Sequence, residues 1–108
     1  MKIVNIHKTI GPDTLLHLLW EKLNPRFHEQ RQSDLNFVSE NKDGVIEISQ
    51  PQLYEGFLYR IEVKGHELYI TRSEHYVDDV NSLTVESILN ELIAELAADG
   101  EVTFVLEG

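Results

Sequence analysis

Residues 57–72 read FLYRIEVKGHELYITR, and their pattern decides the fold. Phe57, Tyr59, Ile61 and Val63 occupy alternate positions, with Leu58, Arg60, Glu62 and Lys64 between them. A period of two puts the first set on one side of an extended chain and the second set on the other. Aromatic and β-branched residues favour that state. Gly65-His66 interrupts the run for two residues with glycine first, which is a hairpin signature. Glu67 to Arg72 then returns as a second strand. An antiparallel hairpin is therefore expected at the centre of the fold.

Working outward towards the N-terminus, Gln50 to Gly56 contains Pro51 and reads as a loop. Val45 to Ser49 and Asp34 to Glu40 read as two further strands, joined by an Asn41-Lys42-Asp43-Gly44 turn. Met1 to Lys8 is a strand broken by Gly11-Pro12. Asp13 is expected to cap a helix whose apolar positions are Leu15, Leu16, Leu19, Trp20 and Leu23. Asn24-Pro25 is expected to end or kink that helix, with Asn24 capping a short second segment that carries Arg26, Phe27, His28 and Arg31. Towards the C-terminus, Ser73 to Leu83 reads as an acidic loop. Thr84 is expected to cap a second helix with Val85, Ile88, Leu89, Leu92, Ile93, Leu96 and Ala97 as its apolar stripe. Gly100 stops it, and Glu101 to Leu106 forms the last strand.

The order is strand, helix, four strands, helix, strand. This is an α+β chain with a mainly antiparallel, twisted sheet of about five to six strands and both helices on one face. The last helix is long enough for a crossover, which allows one parallel pair. At 108 residues with 42% hydrophobic content, the chain is expected to be one domain, 1–108, with its own core.

Charge is segregated along the chain. Residues 73–108 carry Glu74, Asp78, Asp79, Glu86, Glu91, Glu95, Asp99, Glu101 and Glu107 and no lysine or arginine, a charge of −9. Residues 1–72 carry nine basic and ten acidic residues, a charge of −1, and the two parts make the net −10. A protein this acidic is poorly suited to neutralising nucleic-acid phosphates or docking on an anionic membrane, so neither is an expected partner. The absence of cysteine excludes disulfides, thiol chemistry and cysteine-based zinc sites. No apolar run spans a bilayer and the N-terminus has no secretory pattern, so the expected compartment is the cytoplasm.

Motifs for chemistry are absent. Starting a calcium loop at Asp79 fails, because Leu83 holds the fifth position and Thr84 stands where glycine is required. No two histidines have zinc-helix spacing, and His17 with Glu21 supplies only two ligands. The serines have no nucleophile-elbow context. No cofactor and no metal is expected.

The charged segment carries the functional expectation. Glu91, Glu95 and Asp99 form one ridge at a spacing of four, where like charges repel, and Asp99 meets the unfavourable end of the helix dipole. Glu74, Asp78 and Asp79 flank Tyr76, an arrangement suited to anchoring lysine or arginine. The bland alternatives are a solvated helix face, and Tyr76 and Val77 tucked into the domain edge while the acids stay wet. Lys22, Arg26 and Arg31 form a basic cluster expected to pair with the chain's own acids, or to let it self-associate.

The expected function is an immunity protein or antitoxin that presents carboxylates to the cleft of a basic nuclease toxin. Its partner-binding residues would be Glu74, Tyr76, Asp78, Asp79, Glu91 and Glu95. Replacing Asp78 and Asp79 by asparagine is expected to slow association more than it weakens the fold. The alternative is an accessory homodimer whose acidity only solubilises, and the third reading is a small cofactor-free enzyme.

Overall fold

The computed structural model describes residues 1–6, 9–96 and, as backbone, 102–106. Along the chain run β1 (Lys2–Ile6), α1 (Pro12–Arg31), β2 (Val38–Lys42), β3 (Val45–Ser49), β4 (Phe57–Lys64), β5 (Glu67–Arg72), a short 3-10 turn (Glu74–Tyr76), α2 (Val80–Leu96) and β6 (Val102–Leu106). The strands form one six-stranded sheet in the order β2-β3-β4-β5-β1-β6. Every neighbouring pair is antiparallel. The fold is α+β, as the sequence pattern predicts.

The alternating directions fix what the helices do. β1 and β2 point the same way although three strands separate them, so α1 crosses β5, β4 and β3. β5 and β6 also point the same way, and α2 crosses the intervening β1. The parallel pair allowed across α2 does not form, because β1 inserts between its two strands and pairs with both. Alternate sheet residues Val4, Ile6, Ile46, Ile48, Tyr59, Ile61, Leu68 and Ile70 are buried in one cluster with Leu15, Leu19, Leu23 and Phe27 of α1 and Val85, Ile88, Leu89 and Ile93 of α2. Both helices thus cover one face, and the other face meets solvent.

The central hairpin follows its sequence. Lys64 lies opposite Glu67, so Gly65-His66 is the two-residue turn. Gly65 has φ 62° at the first central position, where a type II′ turn requires glycine. The register of β4 against β3 shifts between Ile48 and Ser49, so Ser49 opposes Phe57 while Ile48 opposes Tyr59. Leu58 is the extra residue of this bulge. It is buried, although strict alternation places it on the wet side with Arg60.

Four expected boundaries are corrected. The second strand is Val38–Lys42, later than 34–40, because α1 side chains hold residues 35 and 37. Its turn is Asp43-Gly44, with φ 55° and 88°, the two positive values of a type I′ turn. α1 runs unbroken through Pro25, with Gly11 at the N-cap and Asp13 in the first turn. Pro25 is exposed, so the helix loses one backbone bond on its wet side while Phe27 continues the buried stripe. Trp20 leaves that stripe and is 56% exposed. Finally, α2 begins at Val80, capped by Asp79 in place of Thr84. Gly100 and Ala97 lie outside the described residues.

Candidate functional site

Three surfaces carry charge, and their geometry separates them. The first is the groove between the helices. α1 and α2 run antiparallel here, with residue 22 opposite 95 and 26 opposite 91. Lys22 Nζ lies 3.2 Å from Glu95 Oε1, and Arg26 donates from Nη2 to Glu95 Oε1 at 2.9 Å and from Nη1 to Glu91 Oε2 at 3.4 Å. Hydrogen bonds from Arg26 and then Lys22 hold the Glu95 carboxyl down at about 2. The expected ridge is therefore neutralised by the basic cluster of the same chain at Glu91 and Glu95, while Asp99 lies outside the described residues. These exposed pairs add little stability individually. Their effect is to remove two carboxylates from the free acidic surface.

The second surface is the open face of the sheet. Glu47 accepts from Lys42 Nζ at 3.2 Å and from Arg60 Nε at 3.0 Å. Burial opposes its charge, but these two hydrogen bonds outweigh burial and hold the carboxyl below its ordinary value. Lys42 also meets Glu40 at 3.7 Å, and Lys64 meets Glu62 at 3.6 Å. The Arg60 guanidinium lies 4.0 Å from the Phe57 ring centroid, and Lys64 Nζ lies 4.7 Å from that of Tyr69. Long basic side chains thus cover the aromatic rings of this face, and the charges alternate in sign.

The third surface is the end of the molecule where α2 begins. β2 starts, β3 ends, β4 starts and β5 ends at this end, so the loops 50–56 and 73–79 meet there. Gln50 is buried and fixes the first loop, accepting from the amides of Gln52 and Leu53 at 2.7 and 3.1 Å and donating to Asn36 O at 3.1 Å. The second loop opens with Ser73, whose hydroxyl accepts from His75 N at 3.4 Å. Two tyrosines join the loops. Tyr54 donates to Asp79 Oδ2 at 2.8 Å and accepts from Asn81 Nδ2 at 3.1 Å. Tyr76 accepts from Glu55 N at 2.8 Å and donates to Glu55 O at 3.1 Å. The two rings meet edge to face at 4.7 Å. Burial is the main cause that pushes the Tyr54 phenol above its ordinary value.

The carboxylates expected on this loop have different fates. Asp79 is structural: besides Tyr54 it accepts from Ser82 N at 2.9 Å, the N-cap bond of α2. Tyr76 is half-buried and tied to the loop it faces, as the tucked alternative has it, but Val77, expected to tuck in beside it, is exposed. Glu74 and Asp78 are exposed, as is Glu55, and none of the three meets a cation among the described residues.

Exposed apolar side chains gather at the same end. Among the described residues seven large hydrophobics are exposed, and five of them, Val38, Leu53, Val77, Val80 and Leu83, belong here. Leu53 is 58% exposed, Val80 51% and Leu83 44%. Sequence pattern alone misses Glu55, Leu53 and Val80, because only the Tyr54 and Tyr76 hydroxyls bring the 50–56 loop against the start of α2. Leu83 was readable as an apolar residue, but in a loop, where it had no helix face to belong to. An apolar centre with a polar rim is the anatomy of a protein interface.

Among the described residues no group of three His, Asp or Glu side chains is placed to hold a metal ion, and no helix is long and apolar enough to cross a membrane. No protein-family model, curated protein or solved structure matches the chain.

Proposed function

We propose that this chain is a cytoplasmic protein-binding inhibitor that docks the N-terminal end of α2 on a basic protein. A nuclease toxin is the partner class that its acidity suits best. One observation carries the reading: exposed apolar side chains and carboxylates without intramolecular cations coincide at one rigid end of the molecule. Leu53, Val80 and Leu83 supply the desolvated centre, and Glu55, Glu74 and Asp78 the rim that steers a cationic partner. The loops are already fixed by Gln50, Tyr54 and Tyr76, so little ordering cost is added on binding. Glu91 and Glu95 of the expected site take no part in this version, because they are engaged with Lys22 and Arg26.

The test is capture from native lysate at low and high salt, using the wild-type chain and a Glu74→Gln/Asp78→Asn variant. A basic protein retained at low salt by the wild type, lost from the variant and inhibited in a nuclease assay supports the reading. Equal retention by both chains overturns it.

A second reading has its own support. The pairing of Glu91 and Glu95 inside the chain takes them out of any surface offered to a basic partner, which favours an accessory homodimer whose acids have no binding role. Light scattering across salt concentrations separates the two readings. A salt-insensitive dimer that disappears on Leu83→Lys substitution favours the homodimer.

A further inference from the structure

Phe57 lines two neighbouring clefts on opposite sides of the start of β4. In one of them the chain seats its own arginine. The Arg60 guanidinium lies 4.0 Å from the Phe57 ring centroid, and its Nε donates to the Glu47 carboxylate at 3.0 Å. Ring and carboxylate together satisfy both the flat face and the donor edge of a guanidinium.

The other cleft repeats these elements. It is lined by Glu55, Phe57, His75 and Tyr76 with Ser73 and Gly56, and its volume of about 440 Å³ has room for a long side chain. The Tyr76 ring is held still by its two bonds to the Glu55 backbone and by the edge-to-face contact with Tyr54. The Glu55 backbone is fixed in this way while its carboxylate meets no cation among the described residues.

We propose that this second cleft seats an arginine side chain of the basic partner, stacked on the aromatic wall with its donor edge on Glu55. The assignment rests on the partner reading above and deepens it. Arginine is preferred over lysine because a planar cation uses the ring and the carboxylate at once, whereas an ammonium is a hydrated point charge.

The probe is N-acetyl-arginine amide, titrated into the labelled protein at constant ionic strength and followed by amide chemical shifts. N-acetyl-lysine amide and the uncharged N-acetyl-citrulline amide serve as comparisons. The expected result is saturable shifts confined to Glu55, Gly56, His75 and Tyr76, strongest for arginine and absent for citrulline. Glu55→Gln weakens the arginine response about tenfold, the scale of a lost charge-assisted hydrogen bond, while Glu29→Gln on α1 leaves it unchanged. Equal responses to citrulline and arginine, unchanged affinity in Glu55→Gln, or shifts spread over all acidic residues overturn the proposal. The two readings fail separately. A chain that captures a basic protein through Glu74 and Asp78, yet shows no localised arginine response, keeps its partner and loses this seat.

Discussion

Asn24 of α1 and Phe37, the residue before β2, are joined by two hydrogen bonds: Phe37 N donates to Asn24 Oδ1 at 2.7 Å, and Asn24 Nδ2 donates to Phe37 O at 3.1 Å. A side-chain amide thus replaces the strand that would otherwise lie there. The pattern extends along the edge of the sheet. His28 Nε2 meets Leu35 O at 2.9 Å, and Trp20 Nε1 donates to Ser39 O at 2.9 Å. Helix positions 28, 24 and 20 therefore match positions 35, 37 and 39. Four helical residues rise about 6.0 Å and two strand residues about 6.6 Å, so the two repeats stay in step over this length. The exposed Trp20 is explained by this arrangement, since it guards an edge and leaves the core to its neighbours. An unguarded edge strand is a template for aggregation.

Asn24 is the centre of that ladder and its loss is expected to be costly. Asn24→Ala leaves both Phe37 backbone groups without their partner and should destabilise the fold by about 1–3 kcal/mol. Asn24→Asp should cost at least as much, because its carboxylate faces the Phe37 carbonyl with no donor. Urea unfolding midpoints check both, and turbidity on storage checks the uncovered edge. Midpoints equal to wild type would show that the ladder carries no stability.

Asp78 and Asp79 are neighbours with separate roles. Asp79→Ala removes the N-cap of α2 and the acceptor of Tyr54, and should lower stability by about 1–2 kcal/mol. Asp78→Asn touches neither and should leave the thermal midpoint unchanged while slowing association with the basic partner. Replacing both residues together, the test that sequence pattern alone suggests, confounds folding with binding. Thermal melts of the two single variants, beside stopped-flow association rates, separate the effects. A large loss of stability in Asp78→Asn would undo the division.

The elements that were legible in the sequence are those whose signal is local. The alternation from Tyr59 to Val63, the Gly65-His66 turn and the Val85–Leu96 stripe each reveal their state within a few residues, whereas Phe57, expected on the side of Tyr59, is turned to the open face by the bulge at Leu58. What was missed depends on tertiary partners. Pro25 ends helices by local rule, but here the buried stripe continues through Phe27 and outweighs one lost bond. Asp79 caps α2 through its local bond from Ser82 N, and Tyr54, 25 residues earlier, donates to the same carboxylate oxygen. Residues 34–37 look like strand and are claimed instead by α1. The site was half legible for the same reason. Segregation of charge and pairing of Lys22 and Arg26 with the chain's own acids are readable in the sequence, but that the acids taken are Glu91 and Glu95 needs the helices to be antiparallel. Leu53 joins the surface only through the loop that Gln50 folds.

Tyr59 links the sheet to α2 from inside the core. It is fully buried, and its hydroxyl donates to Ser82 O at 2.9 Å and accepts from Ser82 Oγ at 3.3 Å. Burial is the main cause that pushes its phenol above the ordinary value. Tyr59→Phe should cost about 1–2 kcal/mol, because the buried Ser82 hydroxyl then loses its acceptor and Ser82 O keeps only its helical donor. Hydrogen exchange should report the loss at the first turn of α2 before it appears in the β3–β4 ladder. Uniform loss of protection would place the bond outside any local unit of stability.

Acid should weaken the helix pair slightly through Glu95. Its carboxyl is lowered from 4.5 to about 2 in the folded chain, first by the Arg26 hydrogen bond and then by Lys22. A depressed folded value means that the unfolded chain binds the proton more readily. The stabilising contribution is therefore complete above about pH 4.5, declines as pH falls and is gone below about pH 2. Stability should fall across that window and change little from Glu95 at higher pH. Glu95→Gln should show a shallower acid decline and a midpoint at neutral pH slightly below wild type. Because both partners are exposed, about 1 M salt should bring the two curves together by screening the pair. Urea midpoints against pH, with the Glu95 side-chain carbon titrated by NMR, provide the measurement. Parallel acid curves for wild type and variant at low salt would mean that Arg26 and Lys22 do not hold this carboxylate in solution, and the ridge would again be free to meet a partner.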